Sequence, residues 1–127
     1  MLPSDKMVEK LNLNGYSRHF LICVGPKCCQ EDKGRRLWDY VKKRFSELKL
    51  SNTQMAPVLR SKVGCLRVCC DGPIAVVYPE GTWYRQLDEN AIEEIMAQHL
   101  IGGVPVEKYR FAQSHVDKFE NTALEIP

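Results

Sequence analysis

The stretch Lys62–Leu87, KVGCLRVCCDGPIAVVYPEGTWYRQL, decides the fold. Cysteines at 65, 69 and 70 and a Gly72-Pro73 step run directly into IAVVY, a short apolar run rich in β-branched residues that reads as a buried strand over Ile74–Tyr78. Pro79-Glu80-Gly81 is a short glycine-containing connection of the kind that joins antiparallel neighbours, so Thr82–Leu87 reads as the second strand of a hairpin. Cys65 and Cys69 therefore stand on an irregular loop anchored to a sheet.

Upstream, His19–Val24 (HFLICV) is a continuous apolar run that fits a buried strand better than a helix, with Cys23 near its end. Gly25-Pro26-Lys27-Cys28-Cys29 is a turn-type loop, and Gly34–Leu48 has helical periodicity through Leu37, Val41, Phe45 and Leu48. Its opposite face carries Arg35, Arg36, Lys42 and Lys43, ordinarily a solvated surface. Residues Gln54–Val63 read as a further strand, which Pro57 makes either an edge strand or an interrupted one. Two strands joined by one helix run parallel with a right-handed crossover, so both exits lie on one edge of the sheet. This topology brings Cys23 with Cys28 or Cys29 toward Cys65 and Cys69, and sets the first pair ahead of a helix N-terminus, whose partial positive charge favours thiolates.

Downstream, Asp88 is the expected N-cap of a helix through Ile101, with Ile92, Ile95, Met96, His99 and Leu100 on its apolar side and Gly102-Gly103 as its stop. Val104–Phe111 is a last extended piece. Residues 1–18 form an N-terminal extension with one short amphipathic stretch ending at Asn14-Gly15, residues 19–111 form the domain, and 112–127 form a polar tail.

With 127 residues, 44% of them hydrophobic and 27% charged, the chain has the size and composition of one globular domain. It has no apolar run approaching the roughly 18 residues of a membrane-spanning helix and no secretory signal pattern at its start, so a cytoplasmic location is expected, with no membrane partner. A formal charge of +2 argues against nucleic acid. In a reducing compartment, six cysteines point to metal binding or catalysis rather than disulfides.

Converging thiolates select zinc or an iron-sulfur cluster. C-x4-C at Cys23 and Cys28 and C-x3-C at Cys65 and Cys69 are looser than the tight C-x2-C step of zinc knuckles, and two irons need a wider frame than one zinc. The chain has no C-x-x-C motif for dithiol exchange. His19, His99 and His115 stand at a strand start, on an apolar helix face and in the tail, positions that suit structural or solvated histidines better than a catalytic partner for cysteine. No G-x-G-x-x-G turn announces a flavin or nicotinamide site.

These residues resemble the thioredoxin-like 2Fe-2S ferredoxins, a family related to the small 2Fe-2S subunit of respiratory NADH dehydrogenase. HFLIC is similar to that family's first strand and first ligand, GCLRVCCDGPIAVVYPEGTWYRQL to its second ligand pair and hairpin, and EEIMAQHLIGGVPVEKY to its closing helix and Gly-Gly turn. The resemblance covers roughly Arg18 to Phe111. It implies an α/β, thioredoxin-like fold: a central mixed sheet of about four strands with a βαβ unit, a β-hairpin and a C-terminal helix.

The resemblance further implies a 2Fe-2S cluster held by Cys23, Cys65 and Cys69, with Cys28 as fourth ligand by its C-x4-C spacing and Cys29 as the alternative, because Gly34 lies farther from Cys28 than the family's helix-opening glycine does. Cys70 matches no family ligand. The implied function is one-electron transfer between redox partner proteins, a reductase and an electron acceptor, by a homodimer that is not itself an enzyme. An interaction module stabilised by zinc on four cysteines and an iron-sulfur cluster sensor or carrier are the alternatives. With an oxidised cluster on four thiolates the chain is formally neutral. Lys27, Arg60, Lys62 and Arg67 stand near the ligands in sequence and, if they ring the cluster, favour its reduced form and an acidic partner. Of Trp83 and Tyr84, adjacent on one strand, one is expected to face the core and the other a surface or a dimer partner.

Overall fold

In the computed structural model, residues 1–52 and 56–114 are described. The sheet is built outward from β1 (Arg18–Cys23), whose residues Phe20 and Ile22 are fully buried. Helix α2 (Glu31–Glu47) lays Leu37, Val41 and Phe45 against that face, and Phe45 meets Phe20 with ring centroids 6.2 Å apart. Truncating such a buried ring to alanine costs about 3–5 kcal/mol, so this contact fixes how the helix sits on the sheet.

After α2 the chain returns as β2 (Val58–Val63), parallel to β1, with Cys23 opposite Val63. The two strand ends thus coincide, and the loops that leave them share one rim. The hairpin β3 (Ile74–Tyr78) and β4 (Thr82–Tyr84) pairs antiparallel on the other side of β1, again with Cys23 in register, here with Ile74. The strand order is β2-β1-β3-β4-β5, which puts β2 at the sheet edge, one of the two alternatives that Pro57 left open. The expected start of this strand at Gln54 lies outside the described residues, as do His115 and the tail beyond it.

Asp88 caps α3 (Glu89–Glu94) by accepting a hydrogen bond from the Ala91 N–H at 2.8 Å, and the helix continues as a π-helical stretch over Ile95–Ile101. Gly103, at φ +80°, provides the turn that follows. A fifth strand, β5 (Arg110–Gln113), pairs antiparallel with β4 and adds one strand to the expected four, crossing the expected boundary at residue 111. Tyr84 is fully buried in the main core while Trp83 packs on the opposite side against Phe111, as expected of neighbours on one strand. The N-terminal stretch forms α1 (Pro3–Leu11), in which no residue is buried.

Candidate metal centre

The rim of β1 and β2 carries a cavity of about 290 Å³ lined by Cys23, Pro26, Lys27, Cys28, Gly64, Cys65 and Cys69. Cys23 and Cys28 lie at its buried end, 4% and 7% exposed, and Cys65 and Cys69 lie on its exposed side. The first pair is held by a turn in which the amides of Cys28 and Cys29 both donate to the Gly25 carbonyl, at 3.0 and 3.2 Å. Cys23 is the neighbouring thiol that acts on Cys28, and Cys65 the one that acts on Cys69. The four sulfurs therefore form two pairs across one space. Among the described residues, no group of three or more His, Cys, Asp or Glu side chains is drawn in to the distances of a single metal ion.

Close backbone approaches lock the two cysteine loops together. Gly25 abuts the Gly64 carbonyl so tightly that a Cβ would overlap it, and a Cβ on Gly72 would overlap both the carbonyl and the sulfur of Cys28. The second loop also bends sharply: Arg67, Cys69 and Asp71 occupy left-handed backbone at φ of 69°, 59° and 55°. The first of these turns directs the Arg67 N–H onto the Cys65 sulfur at 3.1 Å. The hairpin clamps the far end of the loop, because the Gln86 and Leu87 amides donate to the Asp71 and Pro73 carbonyls at 2.8 and 3.2 Å. That clamp is why β4 stops at Tyr84 rather than reaching Leu87.

Burial, and next the Cys23 contact, push the Cys28 thiol up to about 12. Desolvation and the neighbouring Cys65 likewise raise Cys69, against the lowering influence of Lys27. Without a metal these thiols hold their protons; a bound cation reverses this, because thiolate is the ligating form. Leu66, Val68, Trp83 and Phe111 pack around Cys23, Cys28 and Ile74, so the buried end of the site has an apolar wall.

The other cysteines stand apart from this cavity. Cys29 faces Gly34, where an added Cβ would lie 3.1 Å from its sulfur, and Cys70 is exposed. The long interval from Cys28 to Gly34 has a simple origin: α2 opens at Glu31, and Gly34 lies inside its first turns, buried against Val24. Of the basic residues singled out in the sequence, Lys27 lines the cavity, whereas Arg60 stacks on the Phe45 ring at 5.5 Å, away from it.

No family model matches the sequence. Individual proteins do. A candidate 2Fe-2S ferredoxin of Priestia megaterium is 32% identical over 118 residues, 91% of this chain and 88% of that protein. A 2Fe-2S ferredoxin of Clostridium pasteurianum is 35% identical over 94 residues, 71% of this chain and 91% of the relative. The solved thioredoxin-like 2Fe-2S ferredoxin of Aquifex aeolicus superposes with a TM-score of 0.65 at 28% identity, over 77% of this chain and 93% of that one.

The chain belongs to the thioredoxin-like 2Fe-2S ferredoxins.

One polar constellation of this family member escaped the sequence reading. Glu80, in the hairpin turn, accepts from Arg18 Nε at 3.0 Å and from His99 Nε2 at 2.7 Å. An ionised carboxylate can only accept, so His99 carries its proton on Nε2 and its Nδ1 accepts from the Tyr84 hydroxyl at 2.7 Å. The Tyr84 oxygen in turn accepts the Val106 N–H at 2.9 Å. This chain ties the π-helical stretch to the hairpin that clamps the cysteine loop. Glu80 and His99 are 19 positions apart and carry no local pattern that would pair them.

Proposed function

We propose that Cys23, Cys28, Cys65 and Cys69 hold one 2Fe-2S cluster and that the protein passes single electrons between redox partner proteins, a reductase and an acceptor. The observation that carries this reading is the rim cavity, lined by those four cysteines and by neither of the other two. The cluster, when bound, supplies the one-electron chemistry. The chain's own part is to present two thiolate pairs, to shield the Cys23 and Cys28 end with apolar side chains, and to donate the Arg67 amide to a ligand sulfur. Cys65 and Cys69 are exposed, which suits exchange of electrons with another protein.

The reading extends to a homodimer in the cytoplasm. Exposed Ile101 and Val104 offer unpartnered apolar surface, and all six cysteines are free, as a reducing compartment keeps them. The cluster-bearing domain is the expected 19–111 extended to the ends of the sheet at Arg18 and Gln113, with the N-terminal extension and the tail as its flanks. The protein purified in air is expected to be red-brown, with two irons and two sulfides per chain and reversible reduction to a paramagnetic species. A colourless chain holding one zinc would overturn the assignment in favour of an interaction module, and loss of the cluster on reduction would favour a cluster carrier.

A further inference from the structure

Beside the cysteine cavity, and sharing Pro26 and Gly64 with it, lies a second and larger groove of about 530 Å³ between α2 and the end of β2. Helix α2 contributes Glu31, Arg35, Trp38, Asp39 and Lys42, one face at helical spacing, and β2 contributes Lys62. Trp38 is half-buried and offers an apolar floor with a wide aromatic face, the kind of surface that anchors protein contacts. Two carboxylates line the groove as well. Asp39 is held by Lys42 at 3.4 Å, and Arg35 leans on Asp32 at 2.9 Å; both pairs are exposed and exchange partners at little cost. Among the described residues, Lys62 and Lys27 have no carboxylate within ion-pair distance, and both are exposed.

The groove belongs to a wider asymmetry. Segments 24–43 and 61–71, which surround the cysteines, carry eight Lys or Arg against four Asp or Glu. That is a local excess of +4, whereas the other described residues carry nine Lys or Arg against nine Asp or Glu and sum to zero. The positive end stays positive after the charge of the cluster is counted. A positive region on an otherwise neutral surface draws the cysteine rim toward a negative surface as it approaches.

We propose that this groove is the docking site for an acidic surface of the redox partners, with Arg35, Lys42 and Lys62 as its charged contacts and Trp38 as its floor. The proposal rests on the electron-carrier reading above. In the transfer itself one electron leaves the reduced cluster and reduces the partner's oxidised centre, and no proton moves.

The test follows the oxidation of the reduced holoprotein by two proteins of opposite surface charge, cupric plastocyanin, which is acidic, and ferric cytochrome c, which is basic. Added salt is expected to slow the first reaction and speed the second. The variant Arg35→Glu/Lys42→Glu/Lys62→Glu is expected to slow plastocyanin by at least about tenfold, the scale of electrostatic steering. Lys6→Glu/Lys10→Glu on α1, which makes the same kind of change at residues that do not line the groove, is expected to leave both rates close to wild type. Arg35→Gln/Lys62→Gln gives the answer if the triple variant does not fold, with a smaller loss of the same sign. A cluster-loaded groove variant that reduces plastocyanin at the wild-type rate, or an equal loss in the α1 variant, would overturn the docking site. A chain that takes up no cluster would overturn the electron-carrier reading instead.

Discussion

Gly72 lies against Cys28 so closely that a Cβ at position 72 would overlap both the carbonyl and the sulfur of the cysteine. One loop therefore supplies the wall against which the other loop's thiol is set. Gly72→Ala must push Cys28 out of place, a strain of about 1–3 kcal/mol for overpacking at a close contact. The expected result is a folded protein with a lower melting temperature and less iron per chain. Iron analysis beside a thermal melt checks it, and a variant with full iron content would show that the contact is not needed.

The vicinal cysteines give a sharper contrast. Cys28 lines the cavity while Cys29 turns toward Gly34 and α2. Cys28→Ser is expected to lose the normal visible spectrum. Cys29→Ser and Cys70→Ser are expected to keep it, with at most a small change in stability. Spectra and iron content of the three variants, prepared side by side, decide the matter, and the opposite outcome at 28 and 29 would move the fourth ligand to Cys29.

The rim itself was legible because a hydrophobic run, an amphipathic helix and a second strand admit essentially one chain path, and that path delivers Cys23 beside Val63. What the pattern could not show has particular causes. The first turn of α2, Glu31-Asp32-Lys33, is wholly polar, so periodicity became visible only after Gly34. The early end of β4 depends on Gln86 at φ +52° and on its amide's bond to Asp71, neither of which leaves a mark on the sequence. The π-helical stretch buries Ile95, Met96, His99 and Leu100, a set that an α-helix buries equally well, so spacing could not distinguish the two.

Acid should weaken the junction between the hairpin and the C-terminal helix. Burial pushes the His99 imidazole below its usual 6.5, although Glu80 opposes this. Burial would raise the Glu80 carboxyl, but the bonds from Arg18 and His99 outweigh it and hold that group below its ordinary value. Both groups bind protons less readily when folded than when unfolded, so their contribution is present at neutral pH and declines as the pH falls from about 6.5 into the carboxylate range. Burial lowers His19 as well, which adds to the same slope. The melting temperature is expected to fall between pH 7 and 5, and less steeply in His99→Gln. At pH 7, Glu80→Gln should cost about 1–3 kcal/mol by weakening the bonds to Arg18 and His99. A His99→Gln slope equal to wild type would remove His99 as its source.

Arg67 combines two roles that substitution can separate. Its backbone, at φ +69°, aims an amide at the Cys65 sulfur, and its exposed side chain places a positive charge on the same loop. Glycine adopts this backbone freely, so Arg67→Gly keeps the N–H donor, removes the charge and relieves left-handed strain of about 1 kcal/mol. Hydrogen bonds to the sulfurs and local charge both favour the reduced, more negative cluster. The variant is therefore expected to load fully, to melt no lower than wild type, and to have a lower reduction potential, while Arg67→Lys stays near the wild-type value. Redox titration followed by paramagnetic resonance reads the order directly. A potential unchanged in Arg67→Gly would assign the tuning of Cys65 to the backbone amide alone.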